Sequence, residues 1–95
     1  MCGVPAEQSL IVIEDDPNIA DLLDTYLRGA GFRVLLADSG ERGLELIAQQ
    51  PPALAILDIG LPGMDGFDVC RRIREKSALP VLFLTARDGE NGLVT

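Results

Sequence analysis

Two kinds of apolar pattern alternate along this chain. Leu10 to Ile13 is an unbroken apolar run that stops at Glu14-Asp15-Asp16, and a short run bounded by charge reads as a strand buried on both faces. Asp16-Pro17 then offers an N-cap followed by proline at the first helical position. Ile19, Leu22, Leu23, Tyr26, Leu27 and Ala30 recur at helical spacing and predict one inward face, with Gly31 as the stop. The pair then repeats. Arg33 to Ala37, around Val34-Leu35-Leu36, predicts a second strand. Asp38, Ser39 and Glu41 open a second helix with Leu44, Ile47 and Ala48 on one side, ended by Pro51-Pro52. Ala53 to Leu57 predicts a third buried strand that ends at Asp58. After the loop Ile59 to Met64, Asp65 can cap a third helix with Phe67, Cys70 and Ile73 facing inward. Pro80 breaks the chain, and Val81 to Leu84 predicts a fourth strand running into Thr85.

The order βαβαβαβ implies an α/β fold in which parallel strands carry helices on both faces. Residues 1–8 read as a flexible leader and residues 9–95 as one domain, the natural count for 95 residues. Hydrophobic residues make up 47% of the chain, too many for a disordered segment. The net charge of −7, with no basic run longer than Arg71-Arg72, argues against direct nucleic-acid binding, which needs a basic face. Cys2 and Cys70 lack the spacing of a disulfide framework or a zinc site. The N-terminus has no signal-peptide pattern, and no apolar run is long enough to span a membrane, so a cytoplasmic setting is expected.

Ligands of an open parallel sheet bind beyond the carboxyl ends of its strands. Those ends carry Glu14-Asp15-Asp16, Asp58 and Thr85-Ala86. If the first and third strands are neighbours, their acids converge, and two carboxylates about 4 Å apart repel by roughly 1–4 kcal/mol. Such a cluster either keeps a proton or holds a cation. Hard oxygen donors in a chain with no histidine favour Mg2+ over zinc, with manganese or calcium as alternatives. Asp16 serves equally well as a plain helix cap. An aspartate beside magnesium points to phosphoryl chemistry through an acyl phosphate, and the Thr85 hydroxyl and the Ala86 N–H are candidate donors to phosphate oxygens.

Three motifs, Ile11-Val12-Ile13-Glu14-Asp15-Asp16-Pro17, Ile56-Leu57-Asp58 with Leu61-Pro62-Gly63-Met64-Asp65-Gly66, and Leu82-Phe83-Leu84-Thr85-Ala86, resemble the receiver domains of bacterial two-component response regulators, nearest in flavour to the OmpR/PhoB-like group. The resemblance covers roughly residues 9–88. It implies a flavodoxin-like three-layer sandwich with strand order 2-1-3-4. It also implies that Asp58 takes a phosphoryl group from a sensor histidine kinase. Asp15 would be a direct Mg2+ ligand, Glu14 a ligand through water, and the main-chain carbonyl of Gly60 a further contribution. Thr85 would be the switch hydroxyl and Ala86 the adjacent backbone donor, while Pro62 and Gly66 would shape the loop after Asp58. The partners implied are the kinase and a C-terminal output domain outside this chain, of the winged-helix DNA-binding kind.

The sequence departs from the family pattern after Thr85. The usual fifth strand ending in Lys-Pro and the final helix are not found, and the only lysine, Lys76, falls at the end of the third helix. The expectation is a receiver incomplete at its C-terminus, with an exposed fourth strand open to self-association and impaired phosphotransfer. The alternative reading is a non-phosphorylatable pseudo-receiver acting only as a binding module. A phosphohydrolase of the haloacid-dehalogenase kind would need an acid two residues after the nucleophile, where this chain has Gly60.

Overall fold

The computed structural model describes residues 8–84. Thr85, Ala86 and all but the last residue of the expected leader lie outside the described residues. The elements are β1 (Ser9–Ile13), α1 (Pro17–Gly29), β2 (Arg33–Ala37), α2 (Gly40–Gln49), β3 (Leu54–Asp58), α3 (Gly66–Lys76) and β4 (Val81–Leu84). They follow the expected alternation, with β1 starting one residue earlier and β3 lying one residue later at both ends. All strand pairs are parallel, and the order is β2-β1-β3-β4, as the resemblance implies. Among the described residues the sheet has these four strands.

Each helix starts where a capping side chain replaces a missing intrahelical acceptor. Asp16 accepts from the Asn18 N–H at 2.9 Å, Ser39 from the Arg42 N–H at 3.2 Å, and Asp65 from the Asp68 N–H at 3.0 Å. Past α1 the chain turns at Gly31, whose φ of 100° is a left-handed conformation that glycine adopts without a Cβ penalty.

The sheet separates two clusters. On the α2/α3 side, Ile11, Ile13, Ala37, Ala55, Leu57, Leu61, Val69, Ile73 and Leu79 form the main core. On the α1 side, Val12, Val34 and Ile56 form a smaller one, with Leu23 and Leu27 of α1 packed against it. Several predicted inward positions face solvent instead. Ile19, Leu22 and Tyr26 of α1 are exposed, Leu22 to 67% and Tyr26 to 74%, and so are Ala30 and Ala48. The apolar set on α1 is wider than the strip that meets the sheet. Phe67 is likewise 55% exposed and leans on Phe83 with ring centroids 5.2 Å apart, while Val69 takes the inward position on α3. No helix of the described residues is long and apolar enough to cross a membrane.

Candidate functional site

The site lies where β1 and β3, hydrogen-bonded neighbours, end side by side. Ile13 is in register with Leu57, so the chain leaves β1 through Glu14 and Asp15 at the level where β3 ends in Asp58. The Glu14 N–H extends the ladder to β2 by donating to the Ala37 carbonyl at 3.0 Å. Glu14, Asp15 and Asp58 each present a carboxylate oxygen within 4.8 Å of the other two. Their exposures differ: Glu14 is buried, at 4% exposure, Asp58 is intermediate and Asp15 is exposed.

Burial pushes the Glu14 carboxyl up from its ordinary 4.5 to about 7. The Asp16 N–H, donating to Glu14 Oε2 at 3.1 Å, works the other way. The Asp58 charge, a hydrogen bond to the Asp58 side chain and the Asp15 charge all add to the rise. A buried acid facing two others is held at the edge of ionisation, and a cation among the three would relieve that repulsion. Three hard oxygen donors converging without histidine or thiol suit magnesium.

The loop after Asp58 is held by short-range contacts. The Gly60 N–H points to Asp58 Oδ1 at 3.4 Å, a long contact. The Gly66 N–H donates to the Ile59 carbonyl at 3.1 Å and draws the start of α3 against the end of β3. A Cβ on Gly66 would stand 2.6 Å from the Asp58 carbonyl oxygen, so only glycine permits this approach. Gly63 adopts φ 77° within the same loop.

The structure therefore brings together three of the expected site residues, Glu14, Asp15 and Asp58, with Gly60 two positions on. The Asp16 carboxylate caps α1 and is not one of the trio, and only its N–H reaches the site, at Glu14 Oε2. Thr85 and Ala86 follow directly on β4, whose Leu84 pairs with Asp58, but they are outside the described residues. Lys76 closes α3, at the end of the sheet opposite Asp58. The sequence reading missed the tight seats of Gly40 and Gly43 on α2. Their signal was a pair of glycines near the start of an otherwise well-formed helix.

Residues 10–95 match the family described as response regulator receiver domain. The chain is 50% identical over 86 residues to the transcriptional regulatory protein AfsQ1 of Streptomyces coelicolor, covering 90% of this chain and 38% of that protein. It is 41% identical over 80 residues to the DNA-binding response regulator MtrA of Mycolicibacterium smegmatis, covering 84% and 35%. The chain thus spans little more than a third of the length of these curated relatives. Among solved structures, the response regulator TrrA from Thermotoga maritima, in complex with Mg2+-BeF, superposes with a TM-score of 0.80 at 33% identity, covering 90% of this chain and 76% of that one. Because the match runs from the first central strand to residue 95 and the solved relative shares the architecture, the chain belongs to the response regulator receiver-domain family.

Proposed function

We propose that this chain accepts a phosphoryl group on Asp58 from the phosphohistidine of a sensor histidine kinase. The modification would govern a winged-helix DNA-binding output domain in a longer protein. The observation that carries this reading is the convergence of Glu14, Asp15 and Asp58 oxygens within 4.8 Å at the ends of adjacent strands. Glu14, Asp15, Asp58 and the Gly60 carbonyl would hold Mg2+. When bound, the metal would offset charge on the phosphoryl oxygens.

The chain's own residues do the rest. An Asp58 carboxylate oxygen attacks phosphorus; the new O–P bond forms as the P–N bond to the donor imidazole breaks, and the electron pair returns to that nitrogen. The Gly60 N–H lies 3.4 Å from Asp58 Oδ1, on the side of the carboxylate that faces the loop. Thr85 would donate its hydroxyl, and Ala86 its N–H, to the phosphoryl oxygens. The kinship with MtrA and AfsQ1 supports a DNA-binding output, and the Mg2+-BeF complex of TrrA supports the metal and the phosphoryl site. The charge of −7 leaves nucleic-acid contact to the output domain. A cytoplasmic setting fits a kinase-fed acceptor. Self-association through β4 belongs to the same reading: among the described residues no strand pairs with its outer edge, and Leu82 is 53% exposed.

The test is mass spectrometry after incubation with Mg2+ and a small phosphodonor such as acetyl phosphate. The wild-type chain should gain one phosphoryl group, and Asp58→Asn should gain none. An unmodified wild-type chain, under conditions that phosphorylate another receiver, would leave the binding-module reading in its place.

A further inference from the structure

Two buried glycines one turn apart on α2, Gly40 and Gly43, have no part in the chemistry above. A Cβ on Gly40 would stand 2.6 Å from Val69 Cγ2 on α3 and 3.2 Å from the Met64 carbonyl oxygen. A Cβ on Gly43 would collide with Ile13 of β1, 2.7 Å from Cγ1 and closer still to Cδ1. Gly29 on α1 is different, with nothing within 4 Å of such an atom.

The Gly43 contact matters because of where Ile13 stands. It is the last residue of β1, fully buried, and is followed at once by Glu14 and Asp15. Its strand partners are Ala37 on one side and Leu57 on the other, and Leu57 immediately precedes Asp58. Isoleucine is stiff at χ1, and the neighbouring Ala55 and Leu57 are themselves fully buried, so a displaced Ile13 has little free volume to enter. A Cβ at position 43 would therefore press on the end of β1. Glycine is also a poor helix former, so its presence at position 43 is not explained by α2 itself.

We propose that Gly43 is a positioning residue for the acid trio: by having no side chain it lets Ile13 seat against the α2 backbone, which sets where Glu14 and Asp15 stand relative to Asp58. The inference rests on the reading of those acids as a magnesium site. It also makes the seating of α2 on β1 a determinant of metal affinity, although α2 supplies no ligand.

The experiment titrates Mg2+ alone, by calorimetry, into the 95-residue chain well below its melting temperature, and records metal-free melting of the same samples. The variants are Gly43→Ala, Ile13→Val, both together, and Gly29→Ala as control. Gly43→Ala should weaken Mg2+ binding about tenfold, the scale seen when support behind metal ligands is disturbed. Adding Ile13→Val removes Cδ1, the atom in closest contact, and should restore part of the affinity, because Cγ1 stays close to the new methyl group. Gly29→Ala should bind as wild type. A purely structural role would lower the melting temperature of Gly43→Ala and leave the affinity of the folded protein unchanged; that result overturns the proposal. So does a Gly43→Ala chain that fails to fold and is not recovered by Ile13→Val, since Gly43 would then serve the fold rather than the site. A wild-type chain that binds no Mg2+ overturns the metal reading itself, and is told apart because it precedes any effect of the variants.

Discussion

The central strands and helix α1 present equally plain apolar patterns and have opposite fates. Ile11, Val12 and Ile13 of β1 and Ala55 and Leu57 of β3 are fully buried, whereas α1 has no buried residue at all. Both central strands are flanked by strands at both edges, and β1 and β3 lie between α1 on one face and α2/α3 on the other. A helix on the outside of a sheet meets it along one strip only, and on α1 that strip is Leu23 and Leu27. Periodicity therefore identifies the kind of element, while depth is decided by what lies around it. The acids inherit this difference. Glu14 and Asp58 extend from the most enclosed part of the molecule, so their geometry is set by a rigid support.

The contrast is broken most directly at Leu57. Leu57→Ala removes a fully buried side chain from the main core, between strands β1 and β4 and beneath α3. The expected loss is about 2–5 kcal/mol of unfolding free energy, from lost transfer energy and the cavity left behind. Urea denaturation followed by circular dichroism measures it. A loss under about 1 kcal/mol would mean that the central strands can collapse around the gap, and the rigidity assigned to the site's support would go with it.

Glu14 sharpens the comparison, since it is an acid at the enclosed end of β1. Its folded value of about 7 lies above the ordinary 4.5. Below pH 4.5 the carboxyl is protonated in both states and contributes nothing. As pH rises toward 7 the unfolded chain ionises first, so the metal-free fold loses stability, and the loss is complete above 7. In chelator the wild type should therefore lose stability between pH 5 and pH 8 through this group. Glu14→Gln should flatten that part of the profile, and thermal melts at the two pH values check it. Equal slopes in both proteins would show that Glu14 is better solvated than its burial implies.

What the sequence displayed, and what it hid, follows the same division. The strands appeared as short apolar runs because both of their faces are covered, and the caps Asp16, Ser39 and Asp65 appeared because capping is a local event. The trio Glu14, Asp15 and Asp58 was legible from strand ends alone, given parallel neighbours. Contacts between elements were not. Phe67 looked like a core residue, yet it lies on the surface against Phe83, and Val69 went unnoticed although it is fully buried. The close seats of Gly43 on Ile13 and Gly66 on the Asp58 carbonyl are defined only once α2 and α3 are docked. A glycine in sequence does not say whether its missing Cβ is needed for a backbone angle, for a neighbour, or for nothing, as Gly29 illustrates.

The smallest effect is expected on α1 itself. Leu22 fits the apolar spacing as well as Leu23 does, but it is 67% exposed, while Leu23 packs against Val12, Val34 and Ile56. Leu22→Ser removes little from the core and only modestly lowers helix propensity, so stability should change by no more than about 0.5 kcal/mol. Exposed apolar area on a helix also promotes association, so the variant should remain monomeric to higher concentration in sedimentation experiments. A destabilisation above about 1.5 kcal/mol would instead mean that Leu22 is covered in solution, and α1 would then belong with the enclosed strands rather than in contrast to them.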